Sequence, residues 1–277
     1  MKAIANYLIE SEPLGKGQFG QVHRCTQKDN SKAHFAVKVV KKASLTPRLF
    51  NNLKNEINIL TKINSPHVVR LQDIQRTENN FYLVMELCNG GDLERLKELR
   101  GGHFAEVEAR LVLQQLVRGF TEIYKQQVMH RDLKLANILV HFPEHGAEIG
   151  PVGGGKTERK KAAEEFLRGV DLTQRGRFLV KIADLGFARE LQYEELSDTI
   201  CGTPLVMAPE VLNGRRYNHK ADVWSLGIVF FEMLAGFTPF TGRDKADLKQ
   251  NLQRGTYGLP KGIRLSLQGL DFLNGCL

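Results

Sequence analysis

In the first third of the chain, apolar residues come in short runs rich in β-branched and aromatic side chains, separated by polar or glycine punctuation. The runs at 7–14, 21–27, 35–40 and 81–86 have the length and composition of strands. Between them the period changes. Leu53, Ile57 and Leu60 recur at spacings of four and three, which predicts a helix from near Pro47 to about residue 63. Asn89, Gly90, Gly91 and Asp92 break the pattern as a loop or hinge. Beyond them the helical period dominates. Leu113, Leu116, Val117, Phe120 and Tyr124 mark a helix over 105–124, and the apolar stretch 221–234 reads as a buried helix. The pattern predicts an α+β protein, strand-rich over 7–88 and helical over 89–277. Residues 141–178 interrupt the second part. They are rich in Gly, Glu, Lys and Arg with few large apolar groups, and predict a partly flexible surface insert with a short helix across 158–168.

Composition narrows the class. The 277 residues, 42% hydrophobic and 25% charged, suffice for a large core. The best candidate for a membrane span, 223–237, is too short and contains Glu232. The start lacks the pattern of a secretory leader. Cys25, Cys88, Cys201 and Cys276 are scattered without metal-ligand spacing, which predicts a reduced setting, cytoplasmic or nuclear, with cytoplasmic as the expectation. The net charge of +8 raises nucleic-acid binding as an alternative. The basic residues are spread along the chain without a stripe of interleaved aromatics, so no nucleic-acid partner is expected. Local positive potential also suits an enzyme that handles phosphates.

Three motifs carry chemistry. Gly15, Gly17, Gly20 and Val22 form G-x-G-x-x-G-x-V between two predicted strands. Glycines there let a backbone approach phosphate oxygens, although a Gly-rich hairpin has the same look. A dinucleotide fold is excluded because an extended run follows where that motif needs a helix. Lys38 is flanked by apolar residues on the third strand, so its ammonium points inward and needs an anion. Glu56, on the helix that follows, is the natural partner; taken alone it could equally be a surface glutamate. The third and most specific segment is His130, Arg131, Asp132 and Leu133 with Lys134 and Asn137, followed by Asp184, Leu185 and Gly186 and then Ala208, Pro209 and Glu210.

In this order the motifs resemble the catalytic domain of eukaryotic protein kinases of the serine/threonine type, over nearly the whole chain. Asp184 to Arg189, Cys201 to Pro204 and the run 236–240 resemble the autophagy-initiating kinases within that superfamily. The resemblance implies a bilobal fold with a hinge near residue 88, ATP and Mg²⁺ as cofactors, and serine or threonine hydroxyls of proteins as substrates. It implies Asp132 as the base, Lys134 as a charge partner of the transferring group, and Asn137 and Asp184 as metal ligands. Lys38, held by Glu56, would grip the α- and β-phosphates under Gly15, Gly17 and Gly20. Leu14, Val22, Ala36 and Leu139 would wall the adenine, with Met85 behind it, backbone groups of Glu86 and Cys88 at the hinge, and Asp92 at the ribose. His130 would be structural, and Asp222 would hold the backbone around His130 and Arg131. Thr199, or alternatively Ser197, would receive an activating phosphate from an upstream kinase and pair with Arg131 and Arg189. Thr203 would bind Asp132 and Lys134.

The chain departs from the family at several places. Leu185 stands for the usual phenylalanine and Val206 for tyrosine. The last helices of the fold, with the arginine that meets Glu210, are missing, which predicts an unpaired Glu210 and exposed apolar surface. The insert at 141–178 is expected to bind a regulatory partner. Its G-x-x-x-x-G-K-T match at 150–157 lacks the strand that a second phosphate loop needs. A scaffold that binds ATP with little catalysis is the alternative to an active kinase.

Overall fold

The β-branched run His34–Lys41 forms the central strand of an antiparallel sheet, because its alternating side chains serve two different faces. The computed structural model describes residues 2–17, 20–147, 149, 156–185, 189–190, 204–215 and 217–277. Its sheet comprises β1 (Lys2–Ile4), β2 (Tyr7–Gly17), β3 (Gly20–Gln27), β4 (His34–Lys41), β5 (Leu71–Arg76) and β6 (Asn80–Glu86), in the order β1-β2-β3-β4-β6-β5. Val37 packs on one face with Tyr7, Ile9, Cys25, Tyr82 and Val84. Val40 faces the other way, against Leu83 and against Leu53 of α1 (Pro47–Lys62). Lys38 shares the face of Val40, which is why an ammonium in an apolar strand is driven toward α1. Pro47 in the first turn and the Thr46 hydroxyl, which accepts from the Leu49 N–H at 3.3 Å, start that helix where the sequence predicts it.

The second part is mainly helical: α2 (Leu93–Leu99), α3 (Glu106–Lys125), α4 (Lys156–Gly169), α5 (Pro209–Leu212), α6 (Lys220–Ala235), α7 (Lys245–Arg254) and α8 (Leu267–Cys276). Short strands β7 (Val128–Met129) and β10 (Arg189–Glu190) pair with each other, as do β8 (Ile138–His141) and β9 (Leu179–Ile182). Helix α6 is apolar nearly all round and is buried accordingly, with Ile228, Val229, Phe231 and Met233 fully enclosed. It joins Leu116 and Ile123 of α3 in the main core.

The insert differs from expectation. It leaves at the end of β8 and returns into β9, with His141 opposite Leu179, so it interrupts a single hairpin. Helix α4 lies where a short helix is predicted. The described part is not a mere surface excursion, because Phe142, Ile149, Leu167, Leu172 and Phe178 are buried in the same core as Leu93 and Leu96 of α2. Its large apolar side chains are sparse, yet these five all turn inward. The phosphate-loop match at 150–157 lies mostly outside the described residues.

Candidate functional site

The site is assembled from two polar groups, one on each part of the chain. On the sheet side, Lys38 Nζ lies 2.8 Å from Glu56 Oε1 and 3.1 Å from Oε2. It also lies 3.2 Å from Asp184 Oδ1. Lys38 and Glu56 are almost fully buried. Burial disfavours the ammonium, but the carboxylates of Glu56 and Asp184 outweigh it, and the Lys38 pKa is pushed upward. Burial also pushes the Glu56 carboxyl up, against the pull of Lys38. With three oxygens of two acids around one ammonium, the cluster is ionic.

On the helical side, the segment 130–137 is held by its backbone. The Asp222 carboxylate, in the first turn of α6, accepts from the His130 N–H at 2.9 Å and from the Arg131 N–H at 3.0 Å. Burial pushes Asp222 upward; the charge of His130 and these backbone donors oppose it. A ring nitrogen of His130 contacts the Ala183 carbonyl at 3.0 Å, and the ring packs against Phe120, which fits the structural role expected of it. Asp132 is turned inward, with Lys134 Nζ 3.0 Å from its Oδ2. Asn137 Nδ2 donates to the Asp132 carbonyl at 2.8 Å and to Oδ2 at 3.2 Å.

The β8–β9 hairpin joins the two groups. Ile138 is paired with Ile182, and the Ala183 N–H donates to the Asn137 carbonyl at 2.9 Å. Asn137 and Asp184 therefore flank the open end of one ladder. Arg131 and Asp184 have φ of 68° and 57°, a left-handed backbone that non-glycine residues adopt at a cost and that clusters at functional sites. The amide oxygen of Asn137 and the carboxylate of Asp184 are hard oxygen donors, which suit a divalent cation. Among the described residues no cluster of three His, Cys, Asp or Glu side chains could hold a metal.

The remaining predicted residues fall around this centre. Val22 stands opposite Lys38 and Ala36 opposite Met85 in the sheet register. Leu139 bridges to Asp92, which brings the expected adenine wall and the expected ribose ligand side by side. Leu14 is half exposed. The Glu86 side chain meets Lys181 Nζ at 2.9 Å and accepts from the Arg70 N–H at 2.7 Å, while its own N–H donates to the Arg70 carbonyl at 3.0 Å. Burial, with Glu86 nearby, pushes the Cys88 thiol up to about 12, so it is protonated at neutral pH. Gly17 and Gly20 close the β2–β3 hairpin. At Gly20 the need for glycine is internal, since a Cβ would lie 1.9 Å from the Val39 carbonyl oxygen.

Thr199, Ser197 and Thr203 lie outside the described residues, and Arg189 enters through its backbone pairing with Met129. Sequence reasoning missed the Arg131 contact with the Tyr217 hydroxyl, to which Nη1 donates at 2.9 Å. No motif marks Tyr217. Leu185 and Val206 are both buried, so each departure from the family pattern is absorbed by packing. Among the described residues Glu210 forms no ion pair, and Leu267 of α8 is 82% exposed. No helix among the described residues is long and apolar enough to cross a membrane.

A family model described as protein kinase domain matches residues 8–277. The chain is 36% identical to the serine/threonine-protein kinase ATG1 of Saccharomyces cerevisiae, over 92% of this chain and 29% of that protein. It is 33% identical to the serine/threonine-protein kinase ATG1c of Arabidopsis thaliana, over 92% of this chain and 30% of that protein. With ATG1 of Colletotrichum lindemuthianum the identity is 34%, over 91% of this chain and 39% of the relative. The chain thus spans well under half the length of these relatives.

Proposed function

The chain belongs to the protein kinase domain family, and on that premise we propose that it transfers the γ-phosphoryl group of ATP to serine and threonine hydroxyls of proteins. The observation that carries this reading is the convergence of Lys38, Glu56 and Asp184 with Asp132, Lys134 and Asn137 across one hairpin. Phosphoryl transfer asks a protein for position and charge more than for covalent chemistry. Asp132 accepts the proton of the substrate hydroxyl and orients its oxygen. Lys134 shares its charge between Asp132 and the transferring group. Lys38 grips the α- and β-phosphates, with Glu56 fixing its direction. Leu14, Gly15, Gly17, Gly20, Val22, Ala36, Met85, Glu86, Cys88, Asp92 and Leu139 surround the nucleotide. Asn137 and Asp184 hold Mg²⁺, which neutralises phosphate charge when bound. Arg131 and Arg189 receive a phosphate on Thr199, added by an upstream kinase.

The names of the relatives support an autophagy-type role, and the cysteine usage supports a cytoplasmic one. The scaffold reading has no observation in its favour. The test is phosphorylation of a serine, threonine and tyrosine peptide array with Mg-ATP. Transfer to serine and threonine is expected, with Asp132→Asn lowering kcat by about a thousandfold. Equal, metal-independent labelling by both chains would overturn the proposal.

A further inference from the structure

Asn89, just past the hinge, is hydrogen-bonded to the start of the insert. Asn89 Nδ2 lies 3.0, 3.2 and 2.9 Å from the carbonyl oxygens of Phe142, His145 and Gly146. Its Oδ1 accepts from the Phe142 N–H at 2.8 Å. Next to it, the Gly90 N–H donates to the Val140 carbonyl at 2.9 Å, and a Cβ on Gly90 would lie 2.7 Å from the Phe142 ring. The start of the insert and the exit of the hinge therefore meet at backbone contact, and one cannot shift without the other.

The contact continues in a closed circuit. Phe142 stacks edge-on against Phe166 of α4 with ring centres 5.2 Å apart, and His145 packs on the same ring at 4.5 Å. Two residues before Phe166, Glu164 meets Arg95 of α2 at 2.8 Å. The Arg95 N–H donates to Asp92 Oδ1, also at 2.8 Å. The circuit runs from Asn89 through 142–146 and α4 to Arg95, and ends on Asp92, three residues from its start. The Arg95 side chain is half exposed, so that ion pair is a weak link. Asn89 is the strong one, since its amide uses both its donor and its acceptor side.

We propose that Asn89 is a positioning residue for the nucleotide. By tying the insert to the hinge exit it sets where Asp92 meets the ribose, and the insert becomes part of the scaffold of the ATP site. The inference rests on the kinase reading above. Without the Asn89 amide, the Phe142 N–H and the carbonyls of His145 and Gly146 lose this partner, the hinge exit relaxes, and Asp92 loses its fixed place.

The test compares KM and kcat for ATP and for 2′,3′-dideoxy-ATP in peptide phosphorylation. The unaltered chain is expected to favour ATP. Asn89→Ala should raise KM for ATP about three- to tenfold, as loss of hydrogen bonds of this kind implies, with kcat nearly unchanged. The preference for ATP over the dideoxy analogue should shrink toward one. Phe166→Ala, which removes the far anchor of the circuit, should act in the same direction more weakly, and carries the test if Asn89→Ala does not fold. An unchanged KM, or an equal rise for both nucleotides that preserves the preference, would overturn the inference, since mere loosening of the fold does not distinguish the sugars. Absence of any ATP-dependent transfer by the unaltered chain would overturn the kinase reading itself.

Discussion

Helices α1 and α6 each deliver one buried carboxylate to the site, from opposite circumstances. Glu56 comes from a helix that buries a single stripe, Leu53, Ile59 and Leu60 with Glu56 itself, and leaves much of its surface open. Asp222 comes from a helix enclosed on nearly every side. Glu56 binds a side chain, Lys38, and any swing of α1 would part them. Asp222 binds backbone N–H groups of a segment that is further held by His130 and Asn137. The lesson is that the two halves of the centre differ in rigidity. The Asp132 side is built into the core, and the Lys38 side is held by side-chain ion pairs to Glu56 and Asp184.

Three substitutions or conditions bear on this contrast. The largest effect is expected from Asp222→Ala. It strands two N–H groups in a buried place, at a cost of about 3–5 kcal/mol by denaturant unfolding, and activity should fall with it. Tolerance of this change would break the comparison. Glu56→Gln should instead lower kcat/KM by about tenfold to a hundredfold. Its cost in stability should stay below about 1.5 kcal/mol, because Lys38 keeps Asp184 and borders the cleft. Unfolding as severe as that of Asp222→Ala would show that α1 is as deeply fixed as α6.

The smallest effect concerns the joint between the halves. His67 lies in the connection after α1, and its ring contacts the Val180 carbonyl of β9 at 3.1 Å. Burial first, and then the charges of Arg118 and Lys181, hold its pKa below the usual value. Burial likewise lowers His141. A histidine with a depressed folded pKa favours the native state while neutral, and that contribution is lost as pH falls below the unfolded value of about 6.5 and through the lower folded one. The melting temperature should therefore decline between about pH 7.5 and pH 5.5, and His67→Gln should flatten the decline. A flat profile in the unaltered chain would remove this account of the joint.

The insert shows where reading the chain alone falls short. Its composition matches a solvated loop, and its helix was legible from residue type. That Phe142, Leu172 and Phe178 are core residues was not, because isolated apolar groups carry no period. Lys38 and Glu56, by contrast, could be matched in advance. A charge embedded in an apolar strand demands a partner, and the next helix offers that carboxylate beside its apolar stripe.

By itself the sequence determined the kind of the longest elements and which side chains are candidates for the reaction. Local periodicity and motif spacing are properties of neighbouring residues and survive without knowledge of the rest of the chain. Only the tertiary structure decided that Tyr217 would reach Arg131 and that Asn89 would tie down 142–146. Hydrogen bonds act over about 3 Å, and which distant groups come that close is set by how the helices and strands pack, not by any pattern along the chain.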